Sequence, residues 1–277
     1  MPVELFDSII NDIPNGVYIN ITGGEPLLHP KIDEILALLS ERKKSYTLFS
    51  NGILAEKLVN TVRSTSVNSL IVSCDGPKET YNRVRGVDNY NNIVRIVDEL
   101  KGEVNVSIDF TMNPLNTKED LIKVKRFCDS RGIYLGVGVY DRPDYFDTTM
   151  KKEELYEADG LASHPVDRYI RLHNVWLGNN LRLPCYSIRF SCAILPQGDV
   201  LMCLGKRIVL GNLNKHPFSK IWEYSKRSGI LQKYKDCNGC WLLCQRSYDV
   251  GLAIVMKSLI PRAILNRIVG WYDWNDV

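Results

Sequence analysis

The chain has 277 residues and a formal net charge of +3, and 45% of its residues are hydrophobic. This composition is ordinary for a folded protein with a substantial core, and no charge block or basic–aromatic interleaving indicates a nucleic-acid partner. The opening residues lack the layout of a signal peptide, and no apolar run approaches the ~18 residues that span a bilayer. We therefore expect a cytoplasmic protein.

The first half of the chain alternates β-rich runs with helical patterns. It opens on a predicted helix, Val3–Ile10, with no strand before it. The predicted strands are Val17–Ile21, Tyr46–Phe49, Ser69–Ser73, Val104–Thr111 and Ile133–Val139, and the predicted helices between them are Lys31–Arg42, Leu54–Arg63, Tyr90–Leu100 and Thr117–Ser130. Strands separated by helices predict parallel βαβ units and an α/β fold.

Four of these strands end in polar groups that suit a shared ligand. The four strand ends are Gly23-Gly24-Glu25-Pro26, Ser50-Asn51-Gly52, Ser73-Cys74-Asp75-Gly76 and Thr111-Met112-Asn113-Pro114. In a parallel α/β barrel the strand ends meet at one rim, where ligand groups are placed. Each motif alone is typical of a turn, but the four together predict a ligand-binding cleft.

The second half follows a different pattern. Ile194–Val200 predicts a β-hairpin whose turn uses Pro196 and Gly198, and Phe218–Ser228 predicts a short helix. The tail beyond residue 250 predicts amphipathic helices broken by Pro261. Two interpretations of the tail stand side by side. It closes a core, or, given its basic residues and terminal aromatics, it lies on a membrane surface or docks a partner.

Six of the eight cysteines fall between Cys185 and Cys244, and Cys237 and Cys240 form a C-x-x-C. In a reducing compartment such a group binds metal more often than it forms disulfides. Four thiolates suit either a cubane iron–sulfur cluster or a tetrahedral zinc ion.

The order TGGEPLL, SNG and SCDGPKETYNRVRG resembles the radical SAM superfamily over roughly residues 1–140. The resemblance implies a partial (βα)6 barrel that binds S-adenosylmethionine against an iron–sulfur cluster. It implies that the amino group of the methionine moiety is held by Gly23, Gly24, Glu25 and Pro26. It also implies that the ribose is contacted by Ser73 and Asp75 and that Arg85 reaches the carboxylate. The same cleft would be lined by Ser50, Asn51 and Asn113.

The cysteine spacing resembles the SPASM and twitch extensions, which hold auxiliary four-iron, four-sulfur clusters in that superfamily. On this resemblance we expect Cys185, Cys203 and Cys244 to be ligands, with Cys237 or Cys240 as the fourth, and structural zinc as the alternative to a cluster. No cysteine follows Cys244, which favours one auxiliary cluster over two. Cys192 is predicted to be a buried core thiol inside a strand, and Cys74 and Cys128 are interpreted as buried or incidental.

The resemblance also implies a C-x3-C-x2-C loop for the catalytic cluster, and the 277 residues contain no such spacing. The predicted organisation is a partial barrel without its first strand at 1–145, a connection at 146–180, an auxiliary-cluster domain at 181–250 and the tail at 251–277. Three explanations stay open: a shortened record of a complete enzyme, one half of a split protein, or a degenerate relative.

The activity that the resemblance implies is reductive cleavage of S-adenosylmethionine to a 5′-deoxyadenosyl radical, which abstracts hydrogen from a substrate. Peptide or protein modification is the commonest association of the extension, and an electron-donor protein would be a partner. The alternative is a non-catalytic module that binds metal or ligand and docks another protein. We expect the 277-residue chain by itself not to cleave S-adenosylmethionine.

Overall fold

The computed structural model describes residues 1–140, 165–178, 180–183 and 185–269, with only the backbone described at 165–168, 187, 243–245, 247, 268 and 269. The chain divides into two units, Met1–Gly138 and Val139–Val277. Most of the predicted connection at 146–180, and the end of the tail beyond 269, lie outside the described residues.

The first unit alternates strands and helices as the sequence predicts. Its strands are β1 (Ile19–Ile21), β2 (Tyr46–Ser50), β3 (Ser69–Ser73), β4 (Asn105–Met112) and β5 (Tyr134–Val139), and its helices are α1 (Val3–Asp12), α2 (Ile32–Glu41), α3 (Ala55–Ser64), α4 (Lys78–Arg85), α5 (Tyr90–Leu100) and α6 (Lys118–Asp129). The strands form one sheet in the order β1-β2-β3-β4-β5, and the first three neighbouring pairs are parallel. The predicted α/β fold is confirmed.

One face of this sheet carries the hydrophobic core. In β4 the alternate residues Val106, Ile108, Phe110 and Met112 are all buried. They are the residues that a strand with one apolar face buries, and each contributes about 1.5–3 kcal/mol relative to exposure. Helix α5 buries its own apolar side against this layer, including Ile93 and Ile96.

The other face of the sheet is largely polar, although Phe49 lies beside Ile71 on it. Register places Thr47 beside Ser69, and Ser73 beside Asp109, on the side opposite the core residues. Asn105 donates a hydrogen bond to the Ser69 hydroxyl at 3.2 Å on this face. In α/β barrels ligands bind at the carboxyl ends of the strands, so the polar residues of this face that lie near those ends are suited to contact a ligand.

The second unit contains a small antiparallel sheet and several helices. Its strands are β6 (Ala193–Ile194), β7 (Asp199–Cys203) and β8 (Ile208–Asn212), and its helices are α7 (Pro165–Leu177), α8 (Phe218–Arg227), α9 (Ile230–Lys233), α10 (Leu243–Leu259) and α11 (Arg262–Val269). The predicted hairpin is confirmed, because β6 and β7 pair antiparallel around Gly198. The predicted helix break at Pro261 is also confirmed, since it separates α10 from α11.

Most predicted boundaries lie within two residues of the observed ones. The first strand begins at Ile19 rather than Val17, because its pairing register with β2 starts there and Val17 and Tyr18 remain exposed. No helix in the described part of the chain is long and apolar enough to cross a lipid bilayer.

Candidate functional site

Glu25 organises the rim at the ends of β1 and β2. Its carboxylate accepts hydrogen bonds from the Asn51 backbone N–H at 2.7 Å, from the Ser50 hydroxyl at 3.1 Å, and from the Leu27 N–H at 3.2 Å. Buried Pro26 follows as the first residue of a 3₁₀ turn, whose N-terminus the Glu25 side chain caps. Glu25 therefore ties its own loop to the loop after β2.

The loop before Glu25 is open to solvent. Gly23 has φ of +155° and Gly24 is exposed, and an added Cβ at either glycine would meet no atom within 4 Å. A φ in this range is adopted almost only by glycine, so Gly23 is required by the backbone conformation. An exposed loop that lacks side chains allows a ligand to approach the backbone closely.

The loop after β2 is held by two further contacts. The Asn51 side-chain oxygen accepts the Ile53 N–H at 3.0 Å, which is an Asx turn. Gly52 has φ of +73°, and a Cβ there would lie 2.4 Å from the Ile93 side chain. The Ser-Asn-Gly motif is thus fixed by its turn geometry and by helix packing.

Asp75 and Arg85 form an ion pair at the end of β3. The Arg85 guanidinium lies 2.6 Å from one Asp75 oxygen, and the other oxygen accepts the Thr111 N–H at 2.9 Å. Burial raises the pKa of Asp75, and Arg85 partly offsets that rise. The predicted ribose-contacting and carboxylate-contacting residues are therefore paired with each other across β3, α4 and β4. Their contacts with S-adenosylmethionine remain predictions.

The last predicted rim residue, Asn113, is engaged locally. Its side chain donates to the Thr111 carbonyl at 3.0 Å and accepts the Leu115 N–H at 2.9 Å. Neighbouring Asn116 is buried and donates to the carbonyls of Asp75 and Thr111. Asn116 thus fastens the β4 loop to the β3 loop, a role that sequence reasoning missed.

Asp109 is a second residue that sequence reasoning missed. It lies beside Ser73 on the polar face of the sheet, and its Oδ1 would be 3.5 Å from a Cβ built on Gly136 of β5. Among the described groups, none donates a hydrogen bond to its carboxylate. Burial raises the pKa of Asp109 to about 6, and the nearby Asp75 adds to the rise. The alternation of β4 predicted which face Asp109 occupies, but it did not predict the glycine opposite.

Four of the predicted cysteine ligands line one cavity in the second unit. Cys185, Cys203, Cys237 and Cys240 surround a space of about 170 Å³, together with Arg246. Cys185 precedes a short helical turn, Cys203 ends β7, and the other two lie in the loop before α10. Both cysteines of the C-x-x-C, Cys237 and Cys240, therefore line the cavity, although only one of them was expected to be a ligand.

Two kinds of metal centre can be compared with this cavity, a single zinc ion and a four-iron cluster. Among the described side chains, no three of the His, Cys, Asp and Glu groups converge on a point that one metal ion could occupy. Four thiolates around one zinc ion would lie ~3.8 Å apart, given the usual Zn–S distance. A four-iron cluster instead fills the space between its ligands, as a 170 Å³ cavity allows. The Cys203 sulfur also accepts the Lys206 N–H at 3.3 Å, the kind of bond that tunes cluster potentials.

Buried Arg246 holds the cysteine loops in place. Its guanidinium donates to the carbonyls of Cys240 at 2.8 Å and Leu183 at 2.6 Å, and to the Asn238 side-chain oxygen at 2.7 Å. It also pairs with Asp249 at 3.0 Å, and both side chains are 1% exposed. Asp249 in turn accepts the Tyr186 N–H, so the pair clamps the segments on both sides of Cys185 to the C-x-x-C loop.

Aromatic residues of α7 hold the same loop from the other direction. The Trp176 ring nitrogen donates to the Asn238 carbonyl at 3.1 Å, and the Tyr169 hydroxyl donates to the Trp241 carbonyl at 2.7 Å. The fully buried Trp241 ring packs against Tyr169, His173 and Trp176. Burial lowers the pKa of His173 to about 4, so this histidine is neutral at pH 7.

The remaining cysteines are placed as follows. Cys74 and Cys128 are buried in the first unit, as predicted, and burial raises the pKa of each thiol to about 12. Cys192 is only half-buried and lies directly before β6 rather than inside it, because the strand pairing begins at Ala193. The backbone of Cys244 lies in the first turn of α10, but its side chain is outside the described residues.

A larger depression of about 780 Å³ lies among the outer helices of the first unit and includes none of the predicted site residues. The described chemistry is instead concentrated at the strand-end rim and in the cysteine cavity.

Two family models match the chain over these two regions. Residues 1–128 match the radical SAM superfamily, and residues 185–241 match an iron–sulfur cluster-binding domain, SPASM. A probable GTP 3′,8-cyclase of Methanocaldococcus jannaschii is 31% identical over 126 residues, which are 43% of this chain and 41% of that protein. The chain thus spans about two fifths of the length of that relative. The mycofactocin maturase MftC of Mycolicibacterium smegmatis is 22% identical over 80% of this chain and 62% of its own.

Solved structures share the fold. Streptococcus suis SuiB bound to S-adenosylmethionine superposes with a TM-score of 0.68 at 18% identity, covering 88% of this chain and 65% of that one. At this level of identity the similarity establishes the fold alone.

Proposed function

The chain belongs to the radical SAM superfamily and carries a SPASM extension, and on that basis we propose that it is an enzyme that binds S-adenosylmethionine at the carboxyl edge of its parallel sheet and a four-iron, four-sulfur cluster in its cysteine cavity. One observation carries the proposal: the four thiols of the matched SPASM segment line a single cavity large enough for a cluster. When bound, S-adenosylmethionine would supply the 5′-deoxyadenosyl group, and the electron for its reductive cleavage would come from the catalytic cluster that the family resemblance implies, whose C-x3-C-x2-C ligands are not among these 277 residues.

The residues of the chain position the ligand. Glu25 fixes the two loops that bracket the first strand ends, and the exposed Gly23-Gly24 backbone leaves room for the methionine moiety. On the polar face Ser73 lies beside Asp109 in the strand register. Ser73 and Asp75 are the residues that we propose contact the ribose. Arg85, which Asp75 holds in place, is the residue that we propose reaches the carboxylate of the methionine moiety. Holding reactants in one geometry is the protein's main contribution to such chemistry.

The substrate class that we propose is a peptide or protein. Two similar proteins support it: one is named a maturase, and SuiB has been solved with its precursor peptide SuiA. We further propose that the protein acts in the cytoplasm, where thiol ligands stay reduced, and that a donor protein supplies electrons.

Anaerobic reconstitution with iron and sulfide tests the cluster, and equilibrium dialysis with labelled S-adenosylmethionine tests the cleft. We expect about four irons per auxiliary site, with the EPR signal of a reduced cubane. We expect Glu25→Gln to weaken S-adenosylmethionine binding at least tenfold, because the amide nitrogen that replaces one carboxylate oxygen cannot accept a hydrogen bond and, in place of Oε2, would face the Asn51 N–H. The matched control is Glu34→Gln, an exposed carboxylate of α2 in the same unit. Stoichiometric zinc with no cluster signal would refute the cluster assignment, and equal binding by both variants would refute the cleft assignment.

The alternative is a non-catalytic module that binds a cluster and S-adenosylmethionine without cleaving it. It is favoured by one observation, the absence of C-x3-C-x2-C from these 277 residues. Formation of 5′-deoxyadenosine after reduction separates the two functions. Reading the DNA upstream of the Met1 codon for an in-frame C-x3-C-x2-C tests the explanations that the sequence left open, and a stop codon directly upstream would exclude a shortened record.

A further inference from the structure

The five strands of the first unit, all of which the structure describes, contain a single charged residue, Asp109. It lies beside Ser73 in the strand register, on the face opposite the buried side chains of Ile108 and Phe110, and it is partly exposed there. A carboxylate held in a sheet normally has a cation or hydrogen-bond donors to offset its lost hydration. No described residue pairs with the Asp109 carboxylate or donates to it, so the packing of the fold does not explain this group.

The two charged groups that influence Asp109 leave its charge unbalanced. Asp75 raises the pKa of Asp109 and Arg85 lowers it. The Arg85 guanidinium is already bound to Asp75 at 2.6 Å, and that pair has no net charge. Burial is the largest cause of the shift and raises the pKa of Asp109 to about 6, so the carboxyl group is mostly ionised at pH 7. The polar face of the sheet therefore carries one negative charge that the described residues do not neutralise.

Gly136 of β5 leaves the carboxylate uncovered on its other side. A Cβ built on Gly136 would lie 3.5 Å from Oδ1 of Asp109, so any side chain here would lie against the carboxylate. Gly136 is not among the glycines with positive φ, so its backbone conformation does not require glycine. Gly138 follows two residues later in β5 and lies on the same face by strand alternation. A strand that lacks side chains at two successive positions of one face leaves room for a ligand to approach.

We propose that Asp109 binds a cationic side chain of the peptide or protein substrate, an ammonium or guanidinium group, in the space that Gly136 and Gly138 leave open. This inference rests on the proposed function, because Ser73, the neighbour of Asp109 in the register, is the residue that we propose contacts the ribose. A side chain held by Asp109 would therefore lie in the same cleft as the cofactor. Its positive charge would supply the balance that the fold lacks, and opposite charges attract most strongly where water is partly excluded.

S-adenosylmethionine carries two cations of its own, an ammonium and a sulfonium. We propose that its amino group lies at the loop of Glu25, which follows β1. Strands β1 and β4 are three strands apart in the sheet, which is ~14 Å at the usual spacing of neighbouring strands. The ammonium of the cofactor is therefore placed away from Asp109, and the experiment separates the sulfonium from a substrate side chain.

Carboxyl ¹³C NMR of the chain labelled at aspartate tests the proposal, and Asp109→Asn identifies the Asp109 signal by removing it. The probes are acetyl-Gly-Lys-Gly-amide and its arginine and norleucine counterparts, of which the norleucine peptide has no charged side chain. The cationic peptides should lower the pKa of Asp109 from about 6 to about 5 or below, because an adjacent cation favours the ionised form. The norleucine peptide, and S-adenosylmethionine by itself, should leave this pKa unchanged.

Equilibrium dialysis with the same peptides measures the preference for a charged side chain. The unaltered chain should bind at least one cationic peptide about tenfold more tightly than the norleucine peptide, and Asp109→Asn should bind all three alike. Gly136→Val should also lose the preference although the carboxylate is kept, because the new side chain would cover Oδ1. The matched control is Glu119→Gln, which changes an exposed carboxylate of α6 in the same unit and should keep the preference.

Equal binding of the three peptides by the unaltered chain would overturn the proposal. So would an Asp109 pKa that only S-adenosylmethionine lowers, since that result assigns the carboxylate to the cofactor. The peptides are measured with and without S-adenosylmethionine, so a chain that binds no cofactor would refute the proposed function and still leave this test in place. Circular dichroism establishes that each variant is folded.

Discussion

The strand-end rim and the cysteine cavity differ in how their polar and ligating groups are held. At the rim the polar groups already satisfy one another, as Glu25 accepts three kinds of donor and Asp75 is paired with Arg85. In the cavity the thiols surround a space that Arg246 also lines, and Arg246 and the α7 aromatics hold the backbone of the cysteine loops. The rim is therefore held by its own hydrogen bonds, whereas we expect the thiols, which do not satisfy one another, to depend on a bound cluster for stability.

The largest expected effect separates the two regions by their dependence on metal. Cys237→Ser with Cys240→Ser should abolish cluster binding and lower the melting temperature of the second unit, while the first unit is unaffected. All five tryptophans lie at or beyond position 176, so tryptophan fluorescence reports the second unit alone. Amide hydrogen exchange in β2 and β3 reports the first. Cys192→Ser, outside the cavity lining, is the control and should keep its cluster. Normal iron content in the double variant would show that the cavity is not the site.

The next effect concerns the clamp behind the cavity. Arg246→Gln should destabilise the second unit by about 3–5 kcal/mol, because it leaves the buried Asp249 carboxylate without its cation. It should also lower the reduction potential of the bound cluster, since a nearby positive charge favours the more negative, reduced state. Chemical unfolding followed by tryptophan fluorescence and EPR-monitored titration measure the two quantities.

Two comparisons sharpen the interpretation of Arg246. Arg246→Lys should retain the potential better than the stability, because lysine keeps the charge but not the planar fork. Arg227→Gln breaks an exposed pair with Glu223 in α8 and should cost less than ~1 kcal/mol. Equal stability losses in Arg227→Gln and Arg246→Gln would contradict the clamp.

The two regions should also respond to acid with opposite sign. Burial raises the pKa of Asp109 to about 6, so its contribution to the stability of the first unit should rise as pH falls from about 6 to about 4. Burial lowers the pKa of His173 to about 4, so its contribution to the second unit should fall as pH drops from about 6.5 to about 4. For each group the change in the free energy of unfolding has an upper bound of about 3 kcal/mol, and the partial exposure of Asp109 makes its contribution smaller than that bound.

Hydrogen exchange for the first unit and tryptophan fluorescence for the second, each followed from pH 7 to 4.5, measure these slopes. Asp109→Asn should flatten the first slope, and His173→Gln should flatten the second. A slope that persists in its own variant would show that another group causes it.

The smallest expected effect tests whether the rim keeps its conformation without a bound ligand. Ser50→Ala removes a buried hydroxyl that contacts both oxygens of Glu25 and accepts the Gly52 N–H. It should cost about 1–2 kcal/mol in the first unit without any ligand present, because buried donors lose their partners. Hydrogen exchange of the Asn51 and Gly52 amides measures it. Exchange rates that change only after S-adenosylmethionine is added would mean that the ligand, and not the protein, forms the rim.

The elements and the chemistry-bearing residues could be predicted from the sequence because both are local properties. Apolar spacing placed four internal helices of the first unit within two residues. The spacing of the cysteines selected five candidate ligands, and four of the five line the cavity. Asp109 and Arg246 could not be selected, since a carboxylate in a strand and an arginine in a helix are common. Arg246 acts by donating a hydrogen bond to the Leu183 carbonyl, which lies 63 positions away in the chain, so no local pattern could reveal this role.

The sequence by itself determined the order of strands and helices, the polar strand ends and the thiols of the cysteine cavity. Periodicity, turn residues and ligand spacing are written along the chain, so they can be recognised without coordinates. Only the tertiary structure decided that Glu25 joins two loops, that Asp75 is paired with Arg85, and that one face of α10 remains uncovered. Hydrogen-bond partners and burial depend on which distant segments meet, and that is a property of the packed fold rather than of any local pattern.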